Sequence, residues 1–360
     1  MNIAIAAGGT GGHIFPAIAI IKELTALNND IEPFFIGSKN GIENKIVPEH
    51  NIPFLTISVQ KIYRYFTFKH LLFPYFFIES LRQSLVIIKQ YNIQAVIGCG
   101  GYVCGPIGLM AHYCNVPLFL QEQNSFPGLT TRKLSTYAQK IYLGNKSAEQ
   151  YLPQEKTVYT GNPIRNFPKV SKEQAIKFWQ FDVNKKVIFV YGGSQGASAV
   201  NQTVLQIIPE LTNDNVQIIF QTGALEHNQI KQNLESYSNV IVKDFIQDMH
   251  YAYTSADLVI CRAGAISLAE INHFGLPSII IPLPHSAGDH QQKNAESLVN
   301  YGAAEMILQN DLSSTTLLTK IRELFSDDTK LNRLSECSKI LAKENSAKII
   351  AEDILMSLGF

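Results

Sequence analysis

Short apolar runs alternate with stretches whose apolar residues recur every three or four positions, and the alternation continues through most of the chain. Ile3–Ala7, Pro33–Ile36, Ala95–Ile97 and Pro117–Leu120 are too short for helices and lack polar alternation. They predict strands covered on both faces, as in a parallel sheet. Ala17–Leu27 and Ile78–Gln90 carry helical spacing between them. In the latter, Ile78, Leu81, Leu85 and Ile88 fall on one predicted face, opposite Glu79, Arg82 and Gln83. The rhythm returns in Val187–Tyr191, Val216–Phe220, Val240–Lys243, Leu258–Cys261 and Ser278–Ile281, and after about Thr315 only helical pattern is left. Segment 160–168, with Gly161, Pro163 and Pro168, predicts a linker. The expectation is an α/β protein of two parallel-sheet domains, 1–163 and 164–340. A last helix, about 341–360, is free to pack back on the first domain.

Composition narrows the class. With 360 residues, 46% apolar and 17% charged, the chain has ample material for two packed cores. Lys plus Arg and Asp plus Glu number 30 each, which gives no case for a nucleic-acid partner. The five cysteines are an odd number without a C-x-x-C pair, so they predict reduced thiols rather than a zinc site or a disulfide framework. The apolar N-terminus has no basic stretch before it, and no uncharged apolar run reaches membrane-spanning length. Neither a signal peptide nor a transmembrane helix is expected.

The chemistry concentrates where strands end. After Ile3–Ala7 come Gly8-Gly9-Thr10-Gly11-Gly12-His13, and after Val187–Tyr191 come Gly192-Gly193-Ser194-Gln195-Gly196-Ala197. Glycines let backbone N–H groups approach an anion closely, and a following helix N-terminus adds partial positive charge. Neither loop has the G-x-G-x-x-G spacing of a dinucleotide fold or the Gly-Lys-Ser/Thr of a P-loop. Thr10, Gly11 and Gly12 are expected to contact a ligand. His13, in the first turn of its helix, is a candidate proton acceptor because that position favours the neutral imidazole. Its alternative is a capping histidine bonded to loop backbone.

Three further segments belong with these loops. Ser194 and Arg165 suit a diphosphate. Cys261–Glu270 is another strand, glycine turn and helix, and Glu270 is a carboxylate among apolar neighbours, able to accept from two ribose hydroxyls or to serve in an ion pair. Gln291 and Gln292 open a helix where they can bond sugar or phosphate oxygens. Separately, Lys61–Arg82 packs eight aromatics and four basic residues around the single acid Glu79, a composition suited to the interface of an anionic bilayer.

Taken in order, Gly8–His13, Gly100-Gly101-Tyr102-Val103, Glu122-Gln123-Asn124, Gly161–Arg165, Gly192–Ala197, Phe245–Met249, Cys261–Glu270 and His290–Ala295 resemble the MurG family of peptidoglycan N-acetylglucosaminyltransferases. Cys104 and Ala263 stand where relatives often have serine. The resemblance implies the GT-B fold, two Rossmann-like domains facing an interdomain cleft. It implies inverting transfer of N-acetylglucosamine from its UDP donor to lipid I, giving lipid II at the inner face of the cell membrane, alongside other membrane enzymes of the pathway. It also implies roles. Ile246 backbone reads uracil and Glu270 holds the ribose. Ser194, Arg165 and the helix start Ala265-Ile266-Ser267-Leu268-Ala269 hold the diphosphate. Gln291 and Gln292 contact the donor sugar or diphosphate, and Asn124 with Thr10–Gly12 closes from the first domain.

No Asp-x-Asp triplet suggests a metal, so no metal or other cofactor is expected. His13 is the candidate base, with Glu122 and Glu43 in reserve. The competing readings are another UDP-sugar enzyme of the same fold, such as a glycolipid synthase or a UDP-N-acetylglucosamine 2-epimerase, and a non-catalytic membrane-associated nucleotide-binding scaffold.

Overall fold

Two all-parallel sheets hold the strands of the computed structural model of the chain, which describes residues 1–60, 72–193 and 195–360. The first sheet comprises β1 (Asn2–Ala6), β2 (Glu32–Ser38), β3 (Phe54–Ile57), β4 (Ala95–Gly98), β5 (Leu118–Glu122), β6 (Lys140–Leu143) and β7 (Thr157–Tyr159), in the order β3-β2-β1-β4-β5-β6-β7. The second comprises β8 (Val187–Tyr191), β9 (Gln217–Gln221), β10 (Val240–Lys243), β11 (Leu258–Cys261), β12 (Ser278–Ile280) and β13 (Glu305–Met306), in the order β10-β9-β8-β11-β12-β13. Helices cover both faces, which is why Ile3, Ala4, Ile5 and Ala6 are all buried despite pointing alternately up and down.

The chain packs as two units, Met1–Arg165 with Lys343–Phe360, and Asn166–Ala342. The final helix, Ser346–Leu358, lies on the helix Gly11–Leu27 and adds Ile350, Ile354 and Leu355 to the core that holds Ile14, Ile18 and Ile21. Each such side chain contributes ~1.5–3 kcal/mol by leaving water. Asp353 on the same helix accepts from Lys140 Nζ at 2.7 Å and Tyr142 Oη at 2.8 Å, tying it to β6. Segment 160–168 contains no regular element, but its Asn162 is buried. Asn162 accepts from Gln121 Nε2 at 3.2 Å and donates to Gln123 O at 3.0 Å, so the expected linker is pinned to the end of β5.

The helix Phe73–Gln90 departs from its predicted face. Ser80, Ser84, Ile87 and Ile88 are buried, whereas Ile78 is exposed. The two serines satisfy themselves within the helix, Ser80 Oγ on Phe77 O and Ser84 Oγ on Ser80 O, each at 2.7 Å. Their small size presents a close-packing face to the helix Cys104–Tyr113, and Leu72, Tyr75 and Ile78 near the helix start are turned outward. Residues 61–71, including Lys61, Tyr63, Arg64, Tyr65, Phe66, Phe68 and Lys69 of the aromatic-basic stretch, lie outside the described residues, as does Ser194.

Candidate functional site

In both sheets the chain leaves one side and resumes on the other at a central pair, β1/β4 in the first and β8/β11 in the second. Loops following such a pair diverge and leave a crevice at the carboxyl ends of the strands, where α/β folds bind ligands. The glycine loops stand at both crevices.

In the first unit, the loop after β1 and the loop after β4 touch. Gly101, at φ +87°, brings its Cα so near the Gly8 carbonyl that an added Cβ lies 2.4 Å from the oxygen. At Gly100 a Cβ meets the His13 ring at 2.5 Å, so this glycine forms the floor under the imidazole. His13 Nδ1 lies 3.0 Å from Gly8 O. A carbonyl only accepts, so Nδ1 carries the proton and the lone pair of the neutral ring sits on Nε2. The capping interaction and the basic nitrogen thus belong to the same histidine.

Glu43 and Glu122 are committed elsewhere. Glu43 is 0% exposed and accepts from Ser38 N at 2.9 Å, Ser38 Oγ at 2.6 Å and Gly9 N at 3.3 Å, holding the glycine loop in place. Glu122, 2% exposed, accepts from Asn124 N, Asn124 Nδ2 and Gly128 N at 3.0–3.1 Å. It orients Asn124, which is half-buried. Neither carboxylate is placed as a reserve base. Thr10 is exposed at the helix N-cap, and Gly11 and Gly12 follow in the first turn with their N–H groups outside the helical ladder. Arg165 packs with this first unit, its guanidinium 5.8 Å from the centre of the Phe15 ring.

In the second unit, the loops after β8 and β9 interlock as closely. A Cβ at Gly196 lies 2.1 Å from Thr222 O, and one at Gly223 lies 2.4 Å from Gly196 N. Gln221, at the end of β9 and only 3% exposed, ties the loop after β8 to the loop after β10. Its Nε2 donates to Gly193 O at 3.2 Å, and its Oε1 accepts from Ile246 N at 2.9 Å. Gln221 belongs to no motif in the sequence, and its one local signal is a glutamine closing a buried strand. Glu226 accepts from Ser198 Oγ, Asn201 Nδ2 and Gln202 Nε2 on the helix Ser198–Asn213. Burial pushes its carboxyl up, but these three donors together hold it below the ordinary range.

Glu270 sits on the helix Ala265–Phe274 and is 3% exposed. Tyr253 Oη donates to its Oε2 at 2.8 Å, and Tyr253 Oη lies 3.0 Å from Tyr191 Oη. Burial drives both phenols well above their ordinary value, so they remain donors. At this helix start, Ala265, Ile266 and Ser267 are half-buried with first-turn N–H groups directed past the helix end, and Ala269 is half-buried one turn on. Leu268, expected at the diphosphate, is buried between these residues. Its side chain is in the apolar core and its N–H donates to Gly264 O at 3.0 Å, so it packs the helix in place.

Gln291 and Gln292 open the helix His290–Asn300. Gln291 Oε1 accepts from Leu283 N at 3.0 Å, and Gln292 Nε2 donates to Glu296 at 2.8 Å. Arg262, also unselected in the sequence, is buried at the end of β11. It donates to Ile281 O, Pro282 O and Gln309 Oε1, and so shapes the loop leading to these glutamines. Burial lowers its guanidinium from the usual value.

Two family descriptions match the chain: the glycosyltransferase family 28 N-terminal domain over residues 3–143 and its C-terminal domain over residues 187–354. A Finegoldia magna UDP-N-acetylglucosamine–N-acetylmuramyl-(pentapeptide) pyrophosphoryl-undecaprenol N-acetylglucosamine transferase is 39% identical over 360 residues, covering 98% of this chain and 97% of its own. The Bacillus pumilus protein of the same name is 36% identical over 351 residues, 96% of each. Among solved structures, Acinetobacter baumannii MurG superposes with a TM-score of 0.79 at 27% identity over 99% of both chains. A Neisseria meningitidis UDP-N-acetylglucosamine 2-epimerase superposes at 0.69 with 14% identity, covering 99% of this chain and 100% of its own, a likeness of fold alone. With two parallel-sheet domains of GT-B type and relatives this similar over nearly its full length, the chain belongs to the MurG family of UDP-N-acetylglucosamine–N-acetylmuramyl-(pentapeptide) pyrophosphoryl-undecaprenol N-acetylglucosamine transferases.

Proposed function

We propose that this chain is an inverting glycosyltransferase that moves N-acetylglucosamine from UDP-N-acetylglucosamine to lipid I, giving lipid II for peptidoglycan synthesis. The observation that carries the reading is the 35–39% identity, over nearly the whole chain, to relatives named for this transfer. The second unit, Asn166–Ala342, takes the donor, and the first unit takes the acceptor and faces the membrane.

Glu270, oriented by Tyr253, accepts from the ribose hydroxyls. The N–H of Ile246 is already given to Gln221, so base recognition there falls to the Ile246 carbonyl, which suits the N3–H donor of uracil. Ser194, the first-turn N–H groups of Ala265–Ser267 with Ala269 behind them, and Arg165 take the diphosphate charge. Gln291 and Gln292 address the donor sugar, and Asn124 with Thr10, Gly11 and Gly12 completes the acceptor side.

In a single displacement, the acceptor hydroxyl oxygen bonds to the anomeric carbon while the bond to UDP breaks. The bonding pair stays on the β-phosphate oxygen and the hydroxyl proton passes to His13 Nε2. The lone pair on Nε2 and the buried commitments of Glu43 and Glu122 support His13 in this role. The outward-facing Leu72, Tyr75 and Ile78, with Arg82 beside them, support peripheral attachment to the cytoplasmic face of the inner membrane, near membrane enzymes of the same pathway. Among the described residues no helix is long and apolar enough to cross a membrane.

The test is transfer of labelled N-acetylglucosamine to a lipid I analogue, with Glu270→Ala as control. Product made by the wild type and lost in the control supports the activity and the donor site together. Donor binding without transfer removes the acceptor assignment.

A further inference from the structure

A cavity of about 390 Å³ lies in the first unit beside the glycine loops, and none of the roles above uses it. Phe76 and Phe77 of the helix Phe73–Gln90 form one wall, Gly105 and Leu109 of the helix Cys104–Tyr113 another, and Tyr102 the end nearest the loops. Tyr102 is shared, because a Cβ on Gly9 lies 3.3 Å from its Cε1, so the ring separates the glycine loop from the cavity by its own thickness. The lining is mostly apolar and Lys133 is its only cation among the described residues. At the outer edge, Leu72, Tyr75, Ile78 and Leu129 are exposed, so apolar surface continues from the cavity to the outside of the unit.

We infer that this cavity receives the first isoprene units of a polyprenyl chain attached to a diphosphate. The inference rests on the lipid-acceptor reading and adds a subsite to it. Such a ligand has three parts in fixed order: a charged diphosphate, an apolar chain that starts at the phosphate, and a remainder too long for any small site. The protein offers three zones in the same order, the loop N–H groups, the apolar cavity, and the exposed apolar edge. A compact soluble ligand would make use of the cavity and leave the edge facing water. The volume lies within the ~300–1,000 Å³ usual for sites that enclose a small ligand, enough for the chain's beginning and not its whole length.

Gly105→Leu tests the assignment. A Cβ there meets only Thr130 Cγ2 at 3.9 Å, so the fold accepts a side chain, and leucine is the better helix former. The added isobutyl group occupies the cavity. Two acceptors are compared in detergent micelles, where attachment to a bilayer plays no part: one with a full polyprenyl chain and a short-chain one whose diphosphate carries only a methyl group, which does not fill the cavity. Excluding about two methylene equivalents predicts a roughly tenfold rise in KM for the long-chain acceptor. KM for the short-chain acceptor and for UDP-N-acetylglucosamine stays within about twofold of wild type. Leu109→Trp, which narrows the cavity from another position, should do the same. An unchanged ratio of long-chain to short-chain KM in both variants overturns the inference. Should wild type transfer to neither acceptor, the acceptor reading fails by itself. Farnesyl diphosphate titrated against wild type and Gly105→Leu then decides the cavity separately. Tighter binding than inorganic diphosphate, lost in the variant, upholds it, and equal binding of the two ligands overturns it.

Discussion

Replacing Tyr253 by phenylalanine removes one oxygen from the centre of the second unit and reports on the donor site. That hydroxyl donates to the Glu270 carboxylate at 2.8 Å and lies 3.0 Å from Tyr191 Oη, and all three side chains are almost fully buried. A hydrogen bond to a charged group contributes about 1.5–3 kcal/mol, and a neutral one about 0.5–1.5 kcal/mol. The substitution keeps the ring, so its stacking on Phe274 and its edge contact with Phe189 survive and no large cavity opens. The expected loss is therefore about 2–4 kcal/mol, or roughly 5–15 °C in the melting temperature of a unit this size. Calorimetry measures that loss. The functional readout is the ratio of dissociation constants for UDP and 2′-deoxy-UDP, which isolates one ribose hydroxyl. Wild type should prefer UDP, and Tyr253→Phe should lose part of that preference because the carboxylate loses a donor that helps fix the direction of its second oxygen. Glu270→Gln combined with Tyr253→Phe should lose little more than either alone, since both act through one contact. A clear stability loss with the full UDP preference intact would remove Glu270 from the ribose. No stability loss would show that the hydroxyl is not holding the carboxylate.

Three other outcomes follow from the geometry. His13→Ala should lower kcat by roughly 10²–10⁴ while the dissociation constant of UDP changes little; equal losses in both rule out a base at this position. Gly101→Ala places a methyl group 2.4 Å from the Gly8 carbonyl at φ +87°, which should cost about 1–3 kcal/mol and raise the acceptor KM by moving the loop under His13. A melting temperature and KM equal to wild type would contradict that packing. Burial pushes the Cys104 and Cys261 thiols up to about 12 and raises Cys99 as well. At pH 8 native protein should therefore alkylate at Cys114 and Cys337 well before these three, read by peptide mass spectrometry. Because the folded values are raised, the stability these thiols contribute is complete below the unfolded value near 9 and declines as pH climbs towards 12. A melting temperature flat across that alkaline range would refute the burial argument.

Much of the fold was legible because a parallel sheet covered on both faces leaves uninterrupted apolar runs, as in Val187–Tyr191 and Leu258–Cys261. Four short strands were not: Phe54–Ile57, Lys140–Leu143, Thr157–Tyr159 and Glu305–Met306 mix polar residues into their runs. The glycine loops could be located because close approach admits no other residue. The positioning roles of Gln221, Tyr253 and Glu43 could not, since they act across sequence separations that no local pattern encodes. The helix Phe73–Gln90 misled for another reason. Serines that bond within their own helix count as polar in a pattern and pack as small residues in the fold.

The helix Ser346–Leu358 also sets an order of events during synthesis. The first unit is translated early, yet Ile350, Ile354 and Leu355, which close its core, emerge only after residues 166–342. At about 5–20 residues per second the ribosome takes roughly ten to thirty-five seconds to cover that interval. Throughout it, the apolar side of Gly11–Leu27 waits for its partner while the second unit is being made. The unit begun first is thus the last to be closed. The opening glycine loop gains its settled foundation only once Ser346–Leu358 has followed the second unit off the ribosome.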